Sequence, residues 1–318
     1  MAVIGTDINE AKSILESGEL VAIPTETVYG LAGNAFNTEA IAKIFEVKNR
    51  PSFDPLIVHT YSLEQVKSIV KELPKKALLL AERFWPGPLT LLLPKQAIIP
   101  DLVTSGMDTV AVRIPNQPLA MQLLQSLDFP LVAPSANPFG YVSPTSAQHV
   151  DDQLGEKIAY VLDGGPCPVG IESTIVGFEG DEAIIHRLGG LSKEKIESII
   201  GKVKLMPHSS SNPKAPGMLK SHYSPGKKVV VGNLDTLVEE YGKDRTGIIS
   251  FTRSVEGIVP EHQMILAPDG ELTTAAKNLF SSLRLLDKKD IDVILAEPVP
   301  EHGLGLAIND RLKRAAAK

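Results

Sequence analysis

The sequence predicts an α/β protein: a twisted open sheet with helices, followed by a smaller α/β unit. Short apolar runs of strand length alternate with amphipathic segments along most of the chain. That alternation breaks once, in a stretch rich in Ser, Pro and Gly between Met206 and Gly226, and then restarts. The chain therefore divides into one unit over residues 1–205, a linker over 206–226 and a second unit over 227–318.

Strands of the first unit are expected at Leu20–Ile23, Leu56–His59, Leu89–Leu93, Val110–Ile114, Leu131–Ala133, Tyr160–Leu162, Ser173–Gly177 and Ala183–Arg187. Helices fall between several of them. Ser62 with Gln65, and Thr145 with Gln148, have the spacing of capping boxes, in which side chain and backbone satisfy each other's free groups. Ser192 opens another helix, with Glu194 in its first turn and Ile196, Ile199 and Ile200 on its apolar side. The linker (MPHSSSNPKAPGMLKSHYSPG) has no apolar period. Beyond it, Lys228–Val231, Gly247–Phe251 and Asp292–Leu295 read as strands, and Leu272–Leu286 and Leu306–Ala317 as helices. Strands alternating with helices make this second unit small, mostly parallel and Rossmann-like.

Composition sets further bounds. With 318 residues, 43% of them hydrophobic, the chain can bury a core in each of two domains. A lone cysteine, Cys167, excludes a disulfide within one chain and any multi-cysteine zinc site. The first ten residues carry neither a basic segment nor an apolar one, and no stretch approaches the roughly 20 apolar residues that span a bilayer. A cytoplasmic location without a membrane partner is the expectation. A net charge of −6 does not attract nucleic acid, although a small basic site for an anionic substrate fits within it.

Common nucleotide and metal signatures are absent. There is no GxxxxGK[ST], no HExxH and no EF-hand pattern, and Gly303-Leu304-Gly305 lacks the third glycine of the dinucleotide fingerprint. Polar segments instead sit at strand ends or turns, where α/β domains place function. They are Pro24–Leu31, Lys48–Pro51 with Asp54–His59, Thr109–Pro115, Ala133–Asn137 reaching Thr145, and Ser173–Val176 with Arg187–Gly189. Each has an ordinary reading. Lys48 and Arg50 lie near a helix C-terminus, where the dipole favours solvent-facing cations. Ser135, Asn137 and Ser143 are turn formers, Thr145 suits a helix cap, Asp54 can open the turn before Pro55, and His59 can be a half-buried structural histidine. Arg113 is harder to dismiss, because a guanidinium ending an apolar strand needs an anion nearby. Cations and hydroxyls converging at strand ends would form an anion pocket rather than a metal site.

In order along the chain, PTETVYGL, Lys-x-Arg followed by PLIVH, FWPGPLT, TVAVRIP, APSAN, GIESTIV and HRLG resemble the YrdC-type threonylcarbamoyl-AMP synthases. The resemblance is to the longer form with a C-terminal domain, and it continues through SHYSPG and GLAINDRL. It implies that threonine, bicarbonate and ATP are joined into threonylcarbamoyl-adenylate, with pyrophosphate released, for modification of the adenosine next to the tRNA anticodon. Under this resemblance Lys48 and Arg50 neutralise the polyphosphate and are the catalytic residues. The ATP site comprises these two with Asp54, Thr109, Ser135, Asn137, Ser143, Arg187 and Tyr223. The threonine pocket comprises Thr27, His59, Arg113, Ala133 and Ser173. Mg²⁺ is expected to travel with ATP, since the sequence offers no carboxylate cluster. The adenylate would pass to a separate tRNA threonylcarbamoyl transferase. Lys214–Pro225 is expected to fold over the pocket as a lid, with Tyr223 against the nucleotide. Two rivals carry less weight. A hydrogenase-maturation carbamoyltransferase needs cysteine zinc fingers that one cysteine cannot form. A non-catalytic RNA-binding module fits poorly with a charge of −6 and no clusters of aromatic and basic residues.

Overall fold

A computed structural model of the chain describes residues 1–206, 218 and 222–317. In chain order the first sheet holds β1 (Val3–Gly5), β2 (Val21–Ile23), β3 (Gly30–Asn34), β4 (Ile57–His59), β5 (Leu89–Pro94), β6 (Thr109–Arg113), β7 (Leu131–Val132), β8 (Tyr160–Leu162), β9 (Thr174–Glu179), β10 (Glu182–Arg187) and β11 (Lys204–Leu205). Their spatial order is β1-β8-β2-β3-β7-β4-β6-β5-β9-β10-β11, with parallel and antiparallel pairs mixed. The second sheet holds β12 (Lys228–Val231), β13 (Thr246–Ser250), β14 (Gln263–Ile265) and β15 (Val293–Ala296). It runs β12-β15-β13-β14 and every pair is parallel. Helices Leu272–Asp287 and Gly305–Ala315 belong to this second unit.

The expected strands form, shifted by a residue or two at their ends. β1, β3, β11 and β14 are additional. β3 reads GLAGN, in which two glycines hide the strand signal; Gly33 is a glycine because a Cβ there would press on Leu20 and Ile44. Ser62 caps its helix as the spacing predicts, accepting from the Gln65 amide at 3.2 Å. The other predicted box is displaced: Ser146, not Thr145, caps helix Ala147–Leu154 and accepts from the His149 amide at 3.3 Å. With Ser at the cap, Thr145 falls outside the helix, where its own amide donates to His149 Nδ1 at 3.3 Å.

The two units share a core. Val28, Val142 and Ile171 of the first unit pack with Tyr223, Phe280, Leu283, Ile308 and Leu312 in one apolar cluster. Arg284 on helix Leu272–Asp287 reaches into the first unit, donating to the carbonyls of Val142 and Ser143 and to Gln153 Oε1. Burial of this kind fixes one unit against the other rather than leaving them tethered. Among the described residues, no helix is long and apolar enough to cross a membrane.

Candidate active site

A cavity opens where the first sheet, the loops around it and the end of the linker meet. Ile57 and His59, two apart on β4 and so on one face of the sheet, line it together with Arg113 from the end of β6 and Arg187 from the end of β10. Thr25, Thr27, Ala133, Ser135, Glu172 and Ser173 come from adjoining loops, and Arg50 from the turn after helix Thr38–Lys48. His222 and Tyr223 complete the lining from the linker.

Each arginine is held in place by the chain's own acceptors. Arg50 is 8% exposed; its Nη2 lies 3.0 Å from Asp54 Oδ2 and donates to the Pro55 carbonyl at 2.8 Å, while Nε donates to the Asp54 carbonyl at 3.1 Å. Arg113 Nη2 lies 2.7 Å from Glu26 Oε1, Nη1 donates to Thr27 Oγ1 at 2.9 Å and Nε to the Gly87 carbonyl at 3.2 Å. The anion that Arg113 requires by the sequence argument is thus Glu26, a residue within the PTETVYGL motif to which sequence reasoning gave no role. Arg187 donates from Nε and Nη2 to the carbonyl and hydroxyl of Ser173, both at 3.0 Å, and burial pulls its pKa down to about 10. Tethering fixes each planar fork before any ligand arrives, which is what a site for a polyanion needs.

His59 is fully enclosed. Burial, then Arg113, push its pKa down to about 3, so the imidazole is neutral near pH 7. Its Nδ1 lies 3.2 Å from the Ile57 carbonyl, which can only accept, so Nδ1 carries the proton and Nε2 is left as an acceptor. His222 Nδ1 and Asn137 Oδ1 are buried without a hydrogen-bond partner among the described residues. Burial, then Arg314 and Arg50, lower the His222 pKa well below the usual histidine value.

The structure therefore brings Thr27, Arg50, His59, Arg113, Ala133, Ser135, Ser173, Arg187 and Tyr223 to one cavity. Four expected residues stand one layer behind its wall. Asp54 pairs with Arg50, and Ser143 donates from its hydroxyl to Glu172 Oε1 at 2.6 Å. Asn137 Nδ2 donates to the carbonyls of Pro138 and Tyr141. Lys48 is 1% exposed, and its ammonium donates to the carbonyls of Ser135 and Asn137. Lys48 and Arg50 are thus not solvent-facing, contrary to the sequence expectation; Asn49 turns left-handed at φ 51 and carries Arg50 back into the protein. Thr109 is not brought to the site. It begins β6 at the end opposite Arg113, about 13 Å away along the strand.

The burial of Lys48 changes what its removal should do. Lys48→Met leaves the buried Asn137 carbonyl without its donor and the Ser135 carbonyl with the Asn137 amide, a loss on the order of 1–3 kcal/mol. The thermal midpoint should fall by about 5 °C, and a scan showing the wild-type midpoint would mean that the contact is idle.

Glu172 precedes Ser173 in GIESTIV, but nothing in its spacing marks it as part of the site. It lines the cavity between Ser143 and the second unit's Arg311. Gly189, of the HRLG motif, explains the local geometry: a Cβ there would run into the backbone of Glu172 and Ser173. Tyr223 is 1% exposed at φ 62, stacked on Phe280 with ring centroids 5.4 Å apart, and lies under the guanidinium groups of Arg311 and Arg314 at 5.2 and 4.7 Å. Met218 packs against Ile57, Leu92, Ala111 and Ile175. Of the expected lid, Lys214–Gly217 and Leu219–Ser221 lie outside the described residues.

Comparison with known proteins converges on one family. A family model described as telomere recombination, covering Sua5, YciO and YrdC, matches residues 13–189, and one described as threonylcarbamoyl-AMP synthase, C-terminal domain, matches residues 191–317. The chain is 41% identical to the threonylcarbamoyl-AMP synthase of Pyrococcus abyssi, over 97% of its own length and 94% of that protein. It is 40% identical to the threonylcarbamoyl-AMP synthase of Bacillus subtilis, over 97% and 92%. The crystal structure of P. abyssi Sua5 complexed with L-threonine superposes with a TM-score of 0.92 at 38% identity, covering 99% of this chain and 97% of that one. The chain belongs to the Sua5/YrdC family, in its long form with the threonylcarbamoyl-AMP synthase C-terminal domain.

Proposed function

We propose that this chain makes L-threonylcarbamoyl-adenylate and pyrophosphate from L-threonine, bicarbonate and ATP, for threonylcarbamoylation of the adenosine next to the tRNA anticodon. The observation that carries this reading is the convergence of Arg50, Arg113 and Arg187, each pre-oriented by its own acceptors, on a cavity that also holds neutral His59 and several hydroxyls.

Threonine is placed at Thr27, His59, Arg113, Ala133 and Ser173. Arg113 supplies the positive charge for its carboxylate, and His59 Nε2 supplies an acceptor. ATP is placed along Arg50, Ser135, Arg187 and Tyr223, with Asp54 holding Arg50, Lys48 holding the Ser135 carbonyl, and Asn137 and Ser143 bracing the adjoining loop and Glu172. Threonine's amine and bicarbonate first condense to a carbamate with loss of water. A carbamate oxygen then attacks the α-phosphorus, the bond to the β-phosphate oxygen breaks and pyrophosphate departs with its electron pair. No protein nucleophile is required. The arginines act by neutralising charge and holding two anions in line.

Glu172 in the cavity wall, and Glu26 and Asp54 behind its arginines, are each paired with an arginine. Mg²⁺ is therefore proposed to enter on the triphosphate rather than on a protein cage. The buried positions of Met218 and Tyr223 support the lid reading, in which the linker excludes water from a hydrolysable mixed anhydride. A first domain over residues 1–205, a linker over 206–226 and a second domain over 227–318, a cytoplasmic location and hand-off of the adenylate to a separate transferase belong to the same proposal.

Isotope-labelled bicarbonate tests it. The adenylate recovered by mass spectrometry should carry threonine and the label together. Consumption of ATP with no labelled adenylate would refute the assignment.

A further inference from the structure

Arg311 lies on helix Gly305–Ala315 of the second unit, yet its side chain is fully buried against the first. Its Nε and Nη2 donate to Glu172 Oε2 at 3.2 and 3.1 Å. Nη1 donates to the Leu188 carbonyl, and to Asp310 Oδ2 at 3.0 Å. The other oxygen of Glu172 accepts from Ser143 Oγ. A chain of contacts thus runs from the second unit, through a carboxylate in the cavity wall, to a hydroxyl on the loop beside Ser135 and Asn137.

Glu172 poses a physical problem for any site that takes a polyanion. An unpaired carboxylate in the wall would repel the phosphates, and in a partly desolvated cavity that repulsion is large. Arg187 contributes positive charge and donates to the carbonyl and hydroxyl of Ser173. The side-on contact comes from Arg311.

We infer that Arg311 is a positioning residue for adenylate formation, supplied by the second unit: it neutralises and orients Glu172, and through it fixes Ser143. The inference rests on the reading of the cavity as the ATP and threonine site. It gives the second unit a part in the reaction, since in the first unit alone Glu172 would face the nucleotide without its paired guanidinium, countered only by the charge of Arg187 and the Ser143 hydroxyl.

The charged and titratable groups facing Glu172 are Arg311 from helix Gly305–Ala315 and Arg187 from β10, with Asp310 on the far side of Arg311. Burial pushes the Glu172 pKa up; Arg311 first, then Arg187 and the Ser143 hydroxyl, outweigh it and hold the carboxyl below its usual range. Removing Arg311 leaves burial opposed by Arg187, the Ser143 hydroxyl and a backbone hydrogen bond, without the largest lowering contribution, so the pKa rises. The balance at Glu172 then shifts toward the protonated, uncharged acid as pH falls and toward the repulsive carboxylate as pH rises.

The experiment measures kcat and KM for ATP from pyrophosphate release by the full chain, as wild type, Arg311→Met, Arg311→Lys and the double variant Arg311→Met/Glu172→Gln. Arg311→Met should raise KM for ATP on the order of tenfold over wild type at about pH 8.5, and by less at about pH 6, with kcat changed less than KM. Arg311→Lys keeps the charge and should stay within a few-fold of wild type, and the double variant should recover most of the loss. Equal impairment of the Met and Lys variants, or a Met defect indifferent to both pH and Glu172→Gln, would overturn the inference. If Arg311→Met does not melt cooperatively, the double variant decides: folded and within a few-fold of wild type supports the role, folded with a tenfold higher KM overturns it. A wild type without threonine-dependent pyrophosphate release would refute the functional reading itself, separately from the role of Arg311.

Discussion

Arg50→Ala is expected to lower kcat for adenylate formation on the order of 10²-fold or more, the usual cost of losing one pre-oriented charge at a developing transition state. The guanidinium is held on one side by Asp54 and by the carbonyls of Asp54 and Pro55, with the cavity on the other. Alanine removes the charge and also leaves the Asp54 carboxylate, fully buried, without its arginine. The variant should therefore melt below wild type, because breaking a buried pair strands the remaining charge. Arg50→Lys separates the effects: it keeps a positive charge but not the planar fork, and should retain part of the rate. Near-normal kcat in Arg50→Ala would remove Arg50 from the chemistry.

The second large effect is on threonine. Arg113→Leu should raise KM for threonine on the order of 10²-fold while KM for ATP changes little, as read from the threonine and ATP dependence of pyrophosphate release. Two terms act in the same direction. The substrate carboxylate loses its cation, and Glu26, 2.7 Å from Arg113 in the wild type, becomes a bare negative charge beside it. A variant in which both KM values rise equally would place Arg113 in general support of the fold rather than in the amino-acid pocket.

Much of this arrangement is legible in the sequence, for identifiable reasons. β5 and β6 are short, mostly apolar runs buried on both faces, so pattern alone locates them. β3 and β14 are not visible that way, since GLAGN and QMI take their strand character from neighbours. Residues that line the cavity, such as Thr27, His59, Arg113 and Ser173, stand in the motifs that carry the family resemblance. What those motifs do not show is which polar group faces the ligand and which faces its neighbour. Lys48 reads as a surface cation at a helix end and is in fact spent on two carbonyls. Thr109 shares a motif with Arg113, but strand rise separates them. The pairs Arg113 with Glu26 and Arg311 with Glu172 join positions far apart in the chain, beyond any spacing rule, and the conversion of buried cations into an oriented set depends on them.

The central claim is that this cavity couples threonine, bicarbonate and ATP in one reaction. Pyrophosphate release by the wild-type chain, measured with each substrate withheld in turn, tests it most directly. Release is expected with all three present, and only background when threonine or bicarbonate is left out. Release at the full rate from ATP alone would contradict it.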